Sequence, residues 1–115
     1  MKILFTIVVS VLLLSTNICL GKDLIVAGAD WCPACVKLKN FIKTNPKELE
    51  NFDVQIIDVD KNPEIKKNLK VRLLPTSVIF NDDNKIQAKL EGFTEQNFIN
   101  WLNKNKWGYY ETYER

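Results

Sequence analysis

Apolar residues fall along this chain in short blocks separated by polar turns, and the length and period of each block predict an element. Leu24-Ile25-Val26-Ala27, closed by Gly28, is a continuous apolar run as long as a buried strand. Val36, Leu38, Phe41 and Ile42 then recur at helical spacing after Pro33, a residue suited to the first helical turn because the N–H it lacks has no partner there. Pro46 stops that helix. Val54 to Val59 reads as a second strand with Ile56, Ile57 and Val59 as its apolar side chains, and Asn62-Pro63 opens a short helix through Leu69. Ser77 to Phe80 is a third strand, Asn81-Asp82-Asp83-Asn84 a turn, and Ile86 to Glu91 the returning strand of a hairpin that Gly92 ends. Thr94 with Asn97 begins a last helix whose Phe98, Ile99, Trp101 and Leu102 share one face.

The order strand-helix-strand-helix-strand-strand-helix predicts a small α/β sandwich with a mixed four-stranded sheet. Crossover helices join parallel strands, and an antiparallel edge hairpin follows. No repeat and no linker interrupts it. The tail from Lys104 to Arg115 carries Trp107, Tyr109, Tyr110 and Tyr113 without either period, so residues 105–115 read as a partly packed appendage to a domain at 22–104.

The N-terminal block has a different character. Lys2 precedes a nearly unbroken apolar run from Ile3 to Leu14, Ser15-Thr16-Asn17 is polar, and Cys19-Leu20-Gly21 presents small residues where a signal peptidase cuts. Residues 1–21 therefore read as a signal peptide cleaved after Gly21, which places the domain in the periplasm or outside the cell. An uncleaved membrane anchor is the competing reading, although a span needs about 20 apolar residues and this run is shorter. Cys19 is a poor lipidation site because the bulky Ile18 stands before it.

Without the leader, 94 of the 115 residues remain, enough for one small core and no separate substrate domain. This part holds 15 Lys and Arg (16 less Lys2) against 14 Asp and Glu, interspersed, a balance that argues against a nucleic-acid partner. The chain has no histidine, which removes Cys-His and Ser-His nucleophile pairs. Cys32 and Cys35 are the two cysteines beyond the leader. The loop they close is too small to staple a fold, so their value lies in reactivity or in metal binding. Zinc would need two further ligands, which only a dimer could supply, and the chain otherwise reads as a monomer.

A cysteine pair with two residues between, where a strand gives way to a helix, meets a specific demand. The thiolate is the nucleophile in disulfide exchange, and unpaired N–H groups and the helix dipole stabilise it at a helix N-terminus. Cys32 stands there and is the expected attacking nucleophile. Cys35, one turn on, is the expected resolving thiol. Exchange through a mixed disulfide needs neither metal nor organic cofactor.

The segment Ala29-Asp30-Trp31-Cys32-Pro33-Ala34-Cys35 resembles the active-site segment of the thioredoxin family, and Val71-Arg72-Leu73-Leu74-Pro75-Thr76 resembles that family's cis-proline loop. Asp58 to Pro63, and Gly92 before the last helix, also fall where the family has similar residues, so the likeness spans about residues 23 to 104. It implies a thioredoxin-like fold lacking the extra N-terminal strand and helix, and disulfide exchange with protein thiols and disulfides. It also implies a cis peptide before Pro75, a Leu74 backbone free to pair with substrate, and a substrate surface of Trp31, Pro33, Ala34, Leu74, Pro75 and Thr76.

Departures from the family qualify this picture. Val26 and Ile56 stand where thioredoxins pair a buried acid with a lysine, so proton transfer at Cys35 must use water or another group. Gly28 matches a tryptophan, and Pro33-Ala34 replaces Gly-Pro. The expected direction is reduction or general exchange, with a membrane redox partner as electron source. The rival reading is a binding module that presents Trp31 and Leu74 and uses the disulfide only as a brace. Asp30, Asp58 and Asp60 read as solvated or capping groups.

Overall fold

The computed structural model describes residues 21–106; the leader, Cys19 and the tail aromatics lie outside the described residues. In chain order the elements are β1 (Lys22–Gly28), α1 (Pro33–Thr44), a 3₁₀ turn (Pro46–Leu49), β2 (Phe52–Asp58), α2 (Pro63–Asn68), β3 (Thr76–Phe80), β4 (Ile86–Glu91) and α3 (Glu95–Asn105). Local chemistry sets the helix ends. Thr94 caps α3, its hydroxyl accepting the Asn97 N–H at 3.2 Å, and the Asn45 N–H closes α1 onto the Phe41 carbonyl at 3.0 Å. Pro46 ends α1 and also starts the 3₁₀ turn, an element absent from the sequence pattern, which carries Leu49 into the core.

The sheet order is β2-β1-β3-β4. β1 and β2 are parallel, with Val26 opposite Ile56, whereas β3 runs antiparallel to β1, with Thr76 opposite Ala27. The second crossover was expected to join parallel strands, and it does not. After α2 the chain re-enters the sheet near the end where β2 finished, with Thr76 opposite Ala27 at the C-terminal end of β1, and β3 runs back from there. That reversal sets Pro75 beside the strand end from which Cys32 follows.

Two clusters make the core. One lies between the sheet and the α1 and α3 helices and includes Leu24, Val26, Leu38, Phe41, Ile79, Phe98 and Leu102. Within it Phe41, Phe93 and Phe98 form a triad with ring centroids 5.6–5.9 Å apart, the edge-to-face spacing that aromatic quadrupoles favour. The other holds Ala27, Cys32, Cys35, Val59, Leu69, Val71 and Val78. Two residues read as apolar-face positions are exposed instead. Val36 is 44% exposed, because the buried stripe of α1 runs through Cys35, Leu38 and Phe41. Ile56 is 41% exposed, because β2 is an edge strand.

Candidate active site

β1 ends at Gly28, and Ala29-Asp30-Trp31 carry the chain to Cys32, the N-cap of α1. Cys32 has extended backbone, and Pro33 at the first helical position costs the helix no hydrogen bond. The Cys32 sulfur accepts the Cys35 N–H at 3.2 Å, and the Val36 N–H donates to the Cys32 carbonyl at 3.1 Å. One helical turn brings the Cα atoms of Cys32 and Cys35 to 5.2 Å, and the two are joined as a disulfide. No acidic residue occupies the first turn of α1, so nothing there offsets the positive end of its dipole.

When the disulfide opens, charge on the Cys32 sulfur is held by that N–H and that dipole. Exposure does not separate the two cysteines, at 6% for Cys32 and 8% for Cys35. Position does. Cys32 caps the helix at the rim, while Cys35 lies inside the first turn with its sulfur against Gly28, where an added Cβ would come within 3.2 Å of both the Cys35 Cβ and Sγ. Beside them a cleft of about 490 Å³ is lined by Gly28, Val26, Ile56, Cys35 and the lysines Lys39, Lys43 and Lys61.

Trp31 is 69% exposed, and its indole N–H donates at 2.7 Å to Oδ2 of Asp60, in the turn that also carries the cleft residues Asp58 and Lys61. Asp60 is itself held by its N–H donating to Asp58 Oδ1 at 2.8 Å. Parallel pairing of β1 and β2 brings these two loops together, which is the tertiary fact that gives Asp60 a partner. The sequence signal for it, an acid just past the neighbouring strand's end, is weak on its own. The Asp58 side chain, in accepting the Asp60 N–H, closes the turn after β2.

Pro33 is exposed, and Ala34 and Leu74 are half-buried, both packed in the cluster that holds the cysteines. The Leu74–Pro75 peptide bond is cis. Thr76, expected on the substrate-facing surface, is instead fully buried, and its hydroxyl donates to the Leu73 carbonyl. Its side chain holds the loop in place. Pro75 is buried as well, and Leu73, which the sequence did not single out, is 50% exposed beside it.

Two further ties brace this loop. The Gly92 N–H donates to the Pro75 carbonyl at 2.8 Å, from a backbone at φ +84° that favours glycine. Arg72 makes paired hydrogen bonds to the Glu91 carboxylate at 2.8 and 3.1 Å. Those bonds hold the Glu91 carboxyl below the usual carboxylate range and raise the Arg72 guanidinium further. Neither tie uses Leu74, whose N–H and C=O make no backbone hydrogen bond among the described residues.

Comparison with known proteins agrees with this geometry. The family model described as Thioredoxin matches residues 20–104. A thioredoxin of Rickettsia bellii is 31% identical over 78 residues, covering 67% of this chain and 74% of that protein. The thiol:disulfide interchange protein DsbD of Haemophilus ducreyi is 31% identical over 86 residues, 66% of this chain but 15% of that much longer protein. The crystal structure of the germline-specific thioredoxin Deadhead from Drosophila melanogaster superposes with a TM-score of 0.67 at 29% identity, covering 75% of this chain and 82% of that one. A helix-capping cysteine pair closed as a disulfide, on this sheet and with this family match, means that the chain belongs to the thioredoxin family and is a thiol-disulfide oxidoreductase.

Proposed function

We propose that this oxidoreductase works outside the cytoplasm on the disulfides of exported proteins, with Cys32 attacking and Cys35 resolving, and that it is reduced by a membrane partner. The observation that carries the role assignment is the placement of Cys32 at the uncompensated N-terminus of α1, where its thiolate is the better stabilised of the two. A polypeptide substrate would lie across exposed Trp31, Pro33, Leu73 and half-buried Leu74, pairing with the free Leu74 backbone. Export is supported by Lys2 and the apolar run Ile3 to Leu14. A membrane electron source is supported by the likeness to an interchange protein many times longer than the matched segment.

Reduction of insulin by dithiothreitol tests the chemistry. The wild type should accelerate it and Cys32→Ser should not, while Cys35→Ser should accumulate a mixed disulfide with insulin that gel electrophoresis resolves. Trapping by Cys32→Ser rather than Cys35→Ser would reverse the assigned roles. Fractionation and N-terminal sequencing of the expressed chain test export. Equilibration with glutathione tests direction, since a potential near those of strong oxidants, on the order of −120 mV, excludes a reductase.

A further inference from the structure

The resolving step makes a demand on Cys35 that the substrate side of the site does not meet. In that step the Cys35 S–H gives up its proton and its sulfur lone pair forms the bond to Cys32 Sγ. The bond from Cys32 to the substrate sulfur breaks, its electron pair leaving on the substrate as a thiolate that water protonates. The dithiol is oxidised by two electrons and the substrate disulfide is reduced. The proton must reach an acceptor, and the charge developing on Cys35 is favoured by an opposite charge nearby.

The cleft beside Cys35 offers both. Gly28 leaves it open to the sulfur, since any side chain there would begin 3.2 Å from Cys35 Sγ. Val26 and Ile56, side by side on paired strands, form an apolar stretch of its wall. The charged groups around it come from every neighbouring element: Lys39 and Lys43 from α1, Lys61 from the turn after β2, Asp30 from the turn before α1, and Asp58 from the end of β2. The Asp58 carboxylate is engaged by the Asp60 N–H, and Asp30 is exposed.

Lys39 differs from the rest, because it follows Cys35 by four residues on the same helix. That spacing stacks side chains on one face, with Cβ atoms about 5–6 Å apart. Helical side chains also lean toward the N-terminus, so the Lys39 stem leans over Cys35.

The geometry points to Lys39 as a positioning residue for the resolving thiol: across the cleft that Gly28 leaves open, its ammonium favours the Cys35 thiolate while cleft water carries the proton away. The inference rests on Cys35 being the resolving cysteine and is independent of cellular location and of the direction of electron flow.

Alkylation of Cys35 by iodoacetamide near neutral pH in a Cys32→Ser chain tests it, read on the Cys35 peptide by mass spectrometry so that Cys19 does not interfere. Adding Lys39→Gln should slow alkylation about three-fold, the size expected of one nearby charge in a watery setting. Lys39→Arg should restore the rate, Lys47→Gln on the distant 3₁₀ turn should leave it alone, and high salt should narrow the difference. Equal rates for the Lys39→Gln chain and its parent, or a Lys39→Arg rate as slow as that of Lys39→Gln, would overturn the proposal. Thermal unfolding of each variant, expected unchanged, separates a charge effect from damage to α1. If the roles of the cysteines were reversed, the insulin-trapping experiment would show it, whatever the Lys39 series gave.

Discussion

The disulfide has two unlike sides. On the side proposed for substrate it presents Trp31, Pro33, Leu73 and Leu74, an apolar rim with an unpaired stretch of backbone, braced from behind by Thr76, Gly92 and the Arg72–Glu91 pair. Away from substrate it meets Gly28 and an open cleft with apolar walls and three lysines. The first side suits an extended polypeptide, which needs area and backbone partners but little side-chain specificity. The second suits water and charge. Under the proposed roles one disulfide is handled at two sulfurs, Cys32 where partners arrive and Cys35 where protons leave.

The largest test of this contrast closes the cleft. Gly28→Val would press a branched side chain against the Cys35 Cβ and Sγ, and it should destabilise the oxidised protein by about 1–3 kcal/mol in urea unfolding. In the Cys32→Ser background it should also slow Cys35 alkylation by more than Lys39→Gln does. Unchanged stability and rate together would mean that the cleft is not the environment of the Cys35 sulfur.

A smaller effect is expected on the other side. Trp31→Ala removes most of the exposed aromatic rim and should raise KM for insulin about ten-fold with kcat little changed, the pattern of lost uniform binding. Cys35 alkylation should not respond. If it did, the two sides would not be separable.

The smallest effect concerns the brace. Arg72 holds the Glu91 carboxyl below its usual range, so the stabilisation from that carboxylate is complete above the ordinary carboxylate titration and is lost as pH falls through the depressed folded value. Glu91→Gln should therefore lower the urea midpoint slightly at about pH 7, and the gap from wild type should close at about pH 2. The pair is exposed to solvent, so high salt should narrow the gap as well. A gap that persists in acid would assign the effect to packing.

Much of the site was legible because it is local. Cys32, Pro33 and Cys35 lie within four residues, and capping, proline placement and dipole act over one helical turn. Thr94 and Gly92 were legible for the same reason. Thr76 was misplaced because the pattern of its strand does not reveal that the loop before it folds over its side chain. Val36 and Ile56 were assigned to apolar faces that neighbouring elements leave uncovered. Asp60 is exposed as expected, but its hydrogen bond to Trp31 is not legible in the sequence because the two lie 29 residues apart.

By itself the sequence determined the order of elements, the reactive pair, the absence of a buried acid behind it and the family, all of which rest on residue types and short spacings. Only the tertiary structure decided that β3 runs antiparallel to β1, that Asp60 meets Trp31, and that Gly28 opens a lysine-rimmed cleft onto Cys35. Those outcomes depend on where the chain re-enters the sheet after α2 and on which loops the strand pairing brings together. They are distances between elements, and hydrophobic periodicity along a chain does not encode them.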